Sequence, residues 1–139
     1  MKTRFAVSTA LVLGTFVAFG AAIQLGAGSA HAADTAPAPA LVAAGKAAFA
    51  ECSICHSAQK GVNSLGPSLY GVVGRPVASV QGFTYSPAMQ KKGGAWTDAA
   101  INALITDPRS TVPGTRMTFA GEKDAAKRTA IIAYLKTLK

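Results

Sequence analysis

Apolar residues recur at helical spacing in three parts of the chain. The C-terminal segment, residues 122–138, has the strongest pattern, because the i, i+3, i+4 and i+7 positions fall on a single helix face. That face carries Arg128, Ile131, Ile132, Leu135 and Leu138. Residues 41–51 predict a shorter helix, whose inner face carries Leu41, Val42, Ala48 and Phe49. A third helix is predicted between Thr97, a capping residue, and Pro108, which stops it. Its inward positions are Ile101, Leu104 and Ile105.

Glycine and proline mark the segments between these helices. Ser86-Pro87 predicts an N-cap followed by proline at the first position of a short helix, and Gly93-Gly94 ends it. Residues 61–82 and 110–121 are rich in turn signals and predict irregular chain. No segment alternates as a strand would, and there is no internal repeat. The pattern predicts an all-α fold of four to five short helices with long loops. Loops of this length usually serve a function, and a group other than side chains is a candidate to fill the centre.

The N-terminal 32 residues have the features of a signal peptide. Lys2 and Arg4 precede an apolar run, no charged residue occurs in residues 5–30, and Ala30-His31-Ala32 is an A-x-A cleavage signature. We expect export to the periplasm and cleavage between Ala32 and Ala33. The alternative is an uncleaved membrane anchor facing the periplasm, because the uncharged run is long enough to span a bilayer.

The remaining chain is predicted to consist of a Pro/Ala linker at residues 33–40 and one folded domain at residues 41–139. The formal net charge is +8, and it falls to +6 when Lys2 and Arg4 are removed. Only 14% of the residues are charged, which argues against a disordered chain. Export would also remove His31, so that His56 becomes the one histidine of the mature chain.

Cys52-Ser53-Ile54-Cys55-His56 is a C-x-x-C-H motif, which is the attachment signature of a c-type haem. Two thiols one helical turn apart can each form a thioether with a haem vinyl group, and the adjacent histidine can present a ring nitrogen to the iron. A thioredoxin-like pair would need a preceding strand, whereas a helix is predicted there. A zinc site would need further cysteine or histidine ligands, and the mature chain has none. We therefore expect one covalent haem c, with His56 as one axial ligand.

The other axial position has three candidates: Met117, Met89 or no protein ligand. A second histidine is excluded by count. Met117 lies in an irregular segment with proline and glycine, 61 residues after His56, so the chain can reach the opposite haem face. Met89 lies inside a predicted helix. Met117 is therefore the predicted ligand, and sulfur ligation of this kind raises the reduction potential.

Over residues 45–139 the chain resembles the class I cytochromes c, and in particular the bacterial cytochromes similar to the mitochondrial carrier. The matching segments follow one another in the order that this family has. They are Cys52-Ser53-Ile54-Cys55-His56, Gly66-Pro67-Ser68-Leu69, Gly74-Arg75, Gly82-Phe83-Thr84-Tyr85-Ser86, Trp96, Pro113-Gly114-Thr115-Arg116-Met117-Thr118-Phe119-Ala120-Gly121 and Ile131-Ile132-Ala133-Tyr134-Leu135.

This resemblance implies roles for further residues. Pro67 matches the proline whose carbonyl accepts a hydrogen bond from the ligand histidine. Arg75, Tyr85 and Trp96 match the donors to a buried haem propionate, and Phe119 matches an aromatic residue near the haem edge. Gly45, Phe49, Tyr134 and Leu135 match the contact between the first and last helices. The resemblance also predicts a slot between Pro67 and Met117, bordered by His56.

The chain departs from the mitochondrial pattern in three places. Leu104 stands where a tyrosine is usual near the ligand sulfur, and Met89 stands where an asparagine is usual. Both changes reduce the polar network around Met117 and leave Thr115 as its clearest remaining member. Glu51 precedes Cys52 where a lysine is common, which dilutes the basic ring that the family uses for docking.

The predicted function is that of a monohaem one-electron carrier, not an enzyme. The expected partners are redox proteins with acidic docking surfaces, such as an oxidase, a reductase, a bc1-type complex or a reaction centre, and we expect a monomer that binds no nucleic acid. The basic residues expected near the exposed haem edge are Lys91, Lys92, Arg109, Arg116 and Lys123. Two alternatives remain: a peroxidase-like or gas-binding haem protein with an open sixth site, and a membrane-anchored cytochrome tied to one oxidase or dehydrogenase.

Overall fold

A computed structural model describes residues 36–139. The predicted signal peptide and the first residues of the predicted linker lie outside this range. The predicted all-α class is confirmed: the described residues form six helices and no strand, apart from one isolated bridge between Pro76 and Ala95. The helices are α1 (Pro39–Ala48), α2 (Ala50–Ser53), α3 (Pro87–Lys92), α4 (Asp98–Thr106), α5 (Pro108–Thr111) and α6 (Ala125–Leu135). Within residues 36–139 no helix has both the length and the apolar character needed to cross a membrane.

The first predicted helix differs from the observed one at both ends. Helix α1 begins at Pro39, so it takes in two residues that the sequence analysis assigned to the linker. Proline suits this position, because its fixed φ is helical and its missing N–H is not needed in the first turn. The helix stops at Ala48, and α2 continues from Ala50 to Ser53 after a break at Phe49. The chain therefore stays helical into the C-x-x-C-H motif.

The capping predictions for α3 and α4 are confirmed. The Ser86 hydroxyl accepts a hydrogen bond from the Met89 N–H at 3.1 Å, and Pro87 is the first residue of α3. Gly93 ends this helix with φ at 63°, a value that glycine adopts without strain. The Thr97 hydroxyl accepts from the Ala100 N–H at 3.1 Å and begins α4. Ile101 and Ile105 of α4 are buried, as predicted.

Pro108 does more than stop α4. It is fully buried and is also the first residue of α5, a four-residue helix in a region where the sequence predicted irregular chain from residue 110. Asp107 makes this second helix possible, because its carboxylate accepts from the Ser110 N–H at 3.0 Å and from the Ser110 hydroxyl at 2.8 Å. The capping carboxylate thus separates α4 from α5.

The Asp107 cap predicts a pH-dependent stability. The hydrogen bonds from Ser110 lower the pKa of Asp107 below its ordinary value of 3.8. A lowered pKa stabilises the fold above the ordinary carboxyl pKa, and this contribution is lost as the pH falls through the pKa of the folded state. Asp107→Ala should therefore lower the free energy of unfolding at pH 7, and the difference from the parent should shrink below pH 3.8. Thermal unfolding of the parent and variant holoproteins from pH 7 to pH 3 measures this difference. Asparagine also caps helices well, so the free energy of unfolding of Asp107→Asn should be close to that of the parent at pH 7. If the free energy lost in Asp107→Ala does not change with pH, the prediction is contradicted.

Helices α1 and α6 pack directly against each other at Gly45. A Cβ atom at this position would lie 1.9 Å from the Ala130 carbonyl oxygen and 2.9 Å from the Tyr134 Cβ. Directly after α1, the Phe49 ring lies 5.2 Å from the Tyr134 ring between centroids. The contact between the first and last helices that the resemblance implied is therefore present, and it joins the two ends of the folded region.

Candidate cofactor site

A cavity of about 940 Å³ opens among the helices and loops. We call it the central cavity, and it is lined by every site residue predicted from the sequence. These are Cys52, Cys55, His56, Pro67, Arg75, Tyr85, Trp96, Thr115, Met117 and Phe119. The predicted slot bordered by His56, Pro67 and Met117 is thus present in the fold.

The His56 imidazole is fixed in one tautomer by Pro67. Its Nδ1 lies 2.7 Å from the Pro67 carbonyl oxygen. A carbonyl can only accept, so Nδ1 carries the proton and Nε2 keeps its lone pair. Burial lowers the pKa of His56, against the smaller opposing effect of the Pro67 hydrogen bond. The ring is therefore neutral at pH 7, which is the form that binds a metal ion through Nε2.

Gly66 forms the surface on which the His56 ring lies. A Cβ atom on Gly66 would lie 2.3 Å from the His56 Cε1 and 2.6 Å from its Nδ1. The Gly66 N–H donates to the Cys55 carbonyl at 2.7 Å, which holds this backbone against the C-x-x-C-H motif. The sequence motifs assign Gly66 no separate role. Its place directly before Pro67 was the available signal.

The two cysteines reach the cavity from one turn of chain. The N–H groups of Cys55 and His56 donate to the Cys52 carbonyl at 3.1 Å and 2.9 Å. Both cysteines are half-buried at the cavity wall. Burial, together with the nearby Glu51 carboxylate, raises the pKa of Cys52. The turn therefore presents two thiols and one imidazole to a single space.

Met117 is half-buried and lines the cavity from the irregular chain between α5 and α6. Its N–H donates to the Thr115 hydroxyl at 3.2 Å, and the Thr115 N–H donates to the Val112 carbonyl at 2.9 Å. Met89, the competing candidate, also lines the cavity but lies within α3 and is 9% exposed. Leu104 is a third apolar neighbour of this space. The departures at Met89 and Leu104 therefore both face the cavity, and each makes its lining less polar.

Arg75 and Trp96, two of the predicted propionate donors, are joined by a backbone hydrogen bond. The Trp96 N–H donates to the Arg75 carbonyl at 2.9 Å, beside the bridge between Pro76 and Ala95. The Arg75 guanidinium donates to the carbonyls of Tyr70 and Ser68 at 2.8 Å and 2.9 Å. Burial lowers the pKa of Arg75, yet a guanidinium stays charged because its ordinary pKa is so high. A fixed cation and the only indole of residues 36–139 therefore both line the cavity.

Tyr85 and Phe119 complete the aromatic part of the lining. The Tyr85 phenol oxygen accepts from the Val80 N–H at 3.3 Å, and a phenol that accepts one hydrogen bond can still donate another. The Tyr85 ring lies edge-on to Phe83, 4.9 Å between centroids. Phe119 is half-buried and packs against the core. The aromatic residues thus shape the cavity and leave Tyr85 able to serve as a donor.

The five predicted basic residues do not all lie at the cavity. Only Arg116 among them lines it, and its guanidinium donates to the Thr84 carbonyl. Lys91 and Lys92 border a separate small pocket of about 210 Å³ near Val112. The Lys92 Nζ lies 5.2 Å from the centroid of the Trp96 ring, within the range of a cation–π interaction. Arg116 is therefore the predicted basic residue that the structure places at the cavity itself.

The residues of the central cavity fit a covalently attached haem. Its volume lies in the range of about 300–1,000 Å³ typical of cofactor sites, and most of its lining is apolar. The polar groups are those that a haem requires: two thiols, a neutral imidazole with a free Nε2, a thioether, and donors suited to a carboxylate. An all-α fold with such a site defines a c-type haem protein.

Comparison with known proteins places the chain in a family. The sequence profile described as "Cytochrome c" matches residues 42–139. A cytochrome c of Euglena viridis is 52% identical over 85 residues, which are 61% of this chain and 83% of that protein. A cytochrome c2 of Blastochloris viridis is 44% identical over 107 residues, covering 76% of this chain and 84% of that protein. The solved structure of cytochrome cH from Methylobacterium extorquens superposes with a TM-score of 0.66 at 44% identity, over 69% of this chain and 97% of that one.

The chain belongs to the cytochrome c family. It is a monohaem electron-transfer protein, not an enzyme, and it carries one covalently bound haem c. Its partners are other redox proteins. The resemblance drawn from the sequence and the predicted fold class are both confirmed.

Proposed function

We propose that the protein is an exported, periplasmic electron carrier whose haem is attached through Cys52 and Cys55. In this proposal His56 and Met117 are the two axial ligands of the iron. The observation that carries the proposal is the arrangement of His56: its Nδ1 is hydrogen-bonded to Pro67 at 2.7 Å, which leaves Nε2 as the metal ligand in the cavity that Met117 also lines. When bound, the haem supplies a one-electron couple between ferric and ferrous iron.

The remaining site residues hold and tune this group. The Pro67 carbonyl orients the His56 ring and makes it a stronger donor. Arg75, Tyr85 and Trp96 supply the donors that a buried propionate needs, since an unpaired carboxylate in an apolar cavity is costly. Thr115 holds the backbone of Met117, and Phe119 shields the cavity. Coordination by both His56 and Met117 would leave no coordination site of the iron open for a substrate.

The proposed partners are a bc1-type complex, a reaction centre, an oxidase or a reductase. The similarity to a cytochrome c2 supports this class. Arg116, exposed at the cavity, is the cation best placed to meet an acidic partner surface. Such contacts are expected to be small and transient, because a carrier must dissociate after each transfer. We propose that the protein acts as a monomer.

An absorption spectrum of the matured holoprotein tests the axial ligation. A low-spin ferric spectrum with a thioether-to-iron charge-transfer band supports His56 and Met117 as ligands. A high-spin ferric spectrum, or stoichiometric binding of carbon monoxide without displacement of a ligand, would support the open-site alternative and overturn the proposed ligation.

Mass spectrometry of the mature N-terminus tests export. The A-x-A signature predicts that the mature chain begins at Ala33 and is recovered in the periplasmic fraction. Ala30→Phe and Ala32→Phe should each impair cleavage, because the signal peptidase site accepts small residues there. A mature protein that keeps Met1 and sediments with membranes would instead identify the membrane-anchored form.

A further inference from the structure

The irregular chain of residues 112–124, here called the Met117 loop, is attached to the fold on both sides of the methionine. Before Met117, the Arg116 guanidinium donates to the Thr84 carbonyl. After Met117, the Glu122 N–H donates to the Ile105 carbonyl at 2.7 Å. The second attachment joins the loop to the end of α4.

Gly121 shows how closely the loop approaches α4. Its φ is +98°, and a Cβ atom there would lie 2.2 Å from the Thr106 carbonyl oxygen. The same carbonyl accepts a hydrogen bond from the Lys123 Nζ at 2.8 Å. The segment after Met117 therefore lies directly against the last turn of α4.

Arg128 connects this segment to both helices. The sequence analysis counted it with the inward face of α6, but its half-buried guanidinium makes polar contacts. Its Nη1 donates to the carbonyls of Glu122 and Lys123, both at 2.9 Å. Its Nε donates to the Asn102 Oδ1 of α4 at 2.9 Å. One rigid, permanently charged group thus joins α6, the Met117 loop and α4.

We propose that Arg128 is a positioning residue for Met117, which keeps the loop against α4 and so opposes departure of the thioether from the iron. The inference rests on the proposed function, in which Met117 is the axial ligand. Detachment of this segment would free several loop residues whose conformational entropy favours the detached state. The three hydrogen bonds from Arg128 oppose that release, and hydrogen bonds from a charged donor are stronger than neutral ones.

The test is the rate at which cyanide binds to the ferric holoprotein. At saturating cyanide the rate is limited by loss of the protein ligand, so the plateau reports how often the thioether leaves the iron. Arg128→Leu should raise this plateau about tenfold. Arg128→Lys keeps the charge and the stem but lacks the planar fork, so its plateau should rise by a smaller factor.

Two control variants separate positioning from general destabilisation. Ile132→Val weakens the buried face of the same helix one turn beyond Arg128, and Lys136→Gln removes the ion pair with Asp98 at 2.6 Å, which joins the residue directly after α6 to α4. Both should leave the plateau at the parent value. Plateaus for Arg128→Leu no higher than those of the controls would overturn the role of Arg128.

The outcome also separates this inference from the proposed function. If the parent lacks the thioether charge-transfer band, the axial role of Met117 fails and the role of Arg128 fails with it. If the band is present and the Arg128 variants exchange ligands at the parent rate, only the role of Arg128 fails. Should Arg128→Leu yield no holoprotein, the plateau of Arg128→Lys decides: a rise supports the inference, and an unchanged rate overturns it.

Discussion

Met117→Ala is expected to abolish the thioether-to-iron charge-transfer band of the ferric protein and to lower the reduction potential by on the order of 0.1 V or more. A thioether raises the potential relative to harder donors, whereas alanine offers no ligand at all. The sixth position would then pass to water or an added ligand, so the ferric spectrum should become high-spin. Absorption spectra and a redox titration measure both effects.

Met89→Leu is the matched control for this experiment. Met89 also lines the central cavity, and leucine conserves its volume while removing the sulfur. The control should keep the band and change the potential much less than Met117→Ala does. If Met89→Leu loses the band and Met117→Ala keeps it, then Met89 is the ligand of the iron and the assignment to Met117 is wrong.

Gly45→Ala is expected to lower the free energy of unfolding of the holoprotein by about 3 kcal/mol, the upper end of what overpacking usually costs. The added Cβ would lie 1.9 Å from the Ala130 carbonyl oxygen, which belongs to backbone and cannot rotate away. Helices α1 and α6 must therefore separate. Denaturant unfolding of parent and variant measures the loss, and the midpoint should fall without a change of haem spectrum in the folded protein.

The prediction for Gly45→Ala is tested by whether the substitution destabilises or stabilises the protein. In an unconstrained helix, replacing glycine by alanine stabilises by about 1 kcal/mol. Ala43→Gly, at an exposed position of the same helix, measures that propensity alone and should cost about 1 kcal/mol. A stabilised Gly45→Ala would show that the two helices do not depend on the close approach at this glycine.

The helix boundaries that could be predicted are those set by residues close to them in sequence. Ser86 and Thr97 cap α3 and α4 as expected, because a hydroxyl before a helical segment accepts a free N–H wherever the rest of the chain lies. The C-x-x-C-H motif and the Met117 segment can likewise be recognised from their consecutive residues. For these features a single sequence was enough.

Other features depend on contacts between distant residues. The break at Phe49 lies where this ring packs against Tyr134. The short helix α5 is an exception, because its Asp107 cap is a local signal that periodicity does not include. The contact of Gly66 with the His56 ring and the bonds of Arg128 join residues that hydrophobic spacing does not relate. Helical spacing groups Arg128 with apolar residues because spacing places a side chain on a helix face without giving its partner.

The lining of the central cavity has a consequence for the supply of this protein in the cell. Within residues 36–139, eight of the ten buried residues in the hydrophobic core cluster also face the cavity; they are Phe49, Val72, Met89, Trp96, Ile101, Ile105, Ile131 and Leu135. The prosthetic group is thus a structural member of the molecule's interior, and its attachment and the folding of the chain reinforce each other. A cell starved of iron or of tetrapyrrole would make polypeptide that proteases remove before it accumulates. The amount of carrier would then follow the availability of its pigment, whatever the level of its messenger RNA.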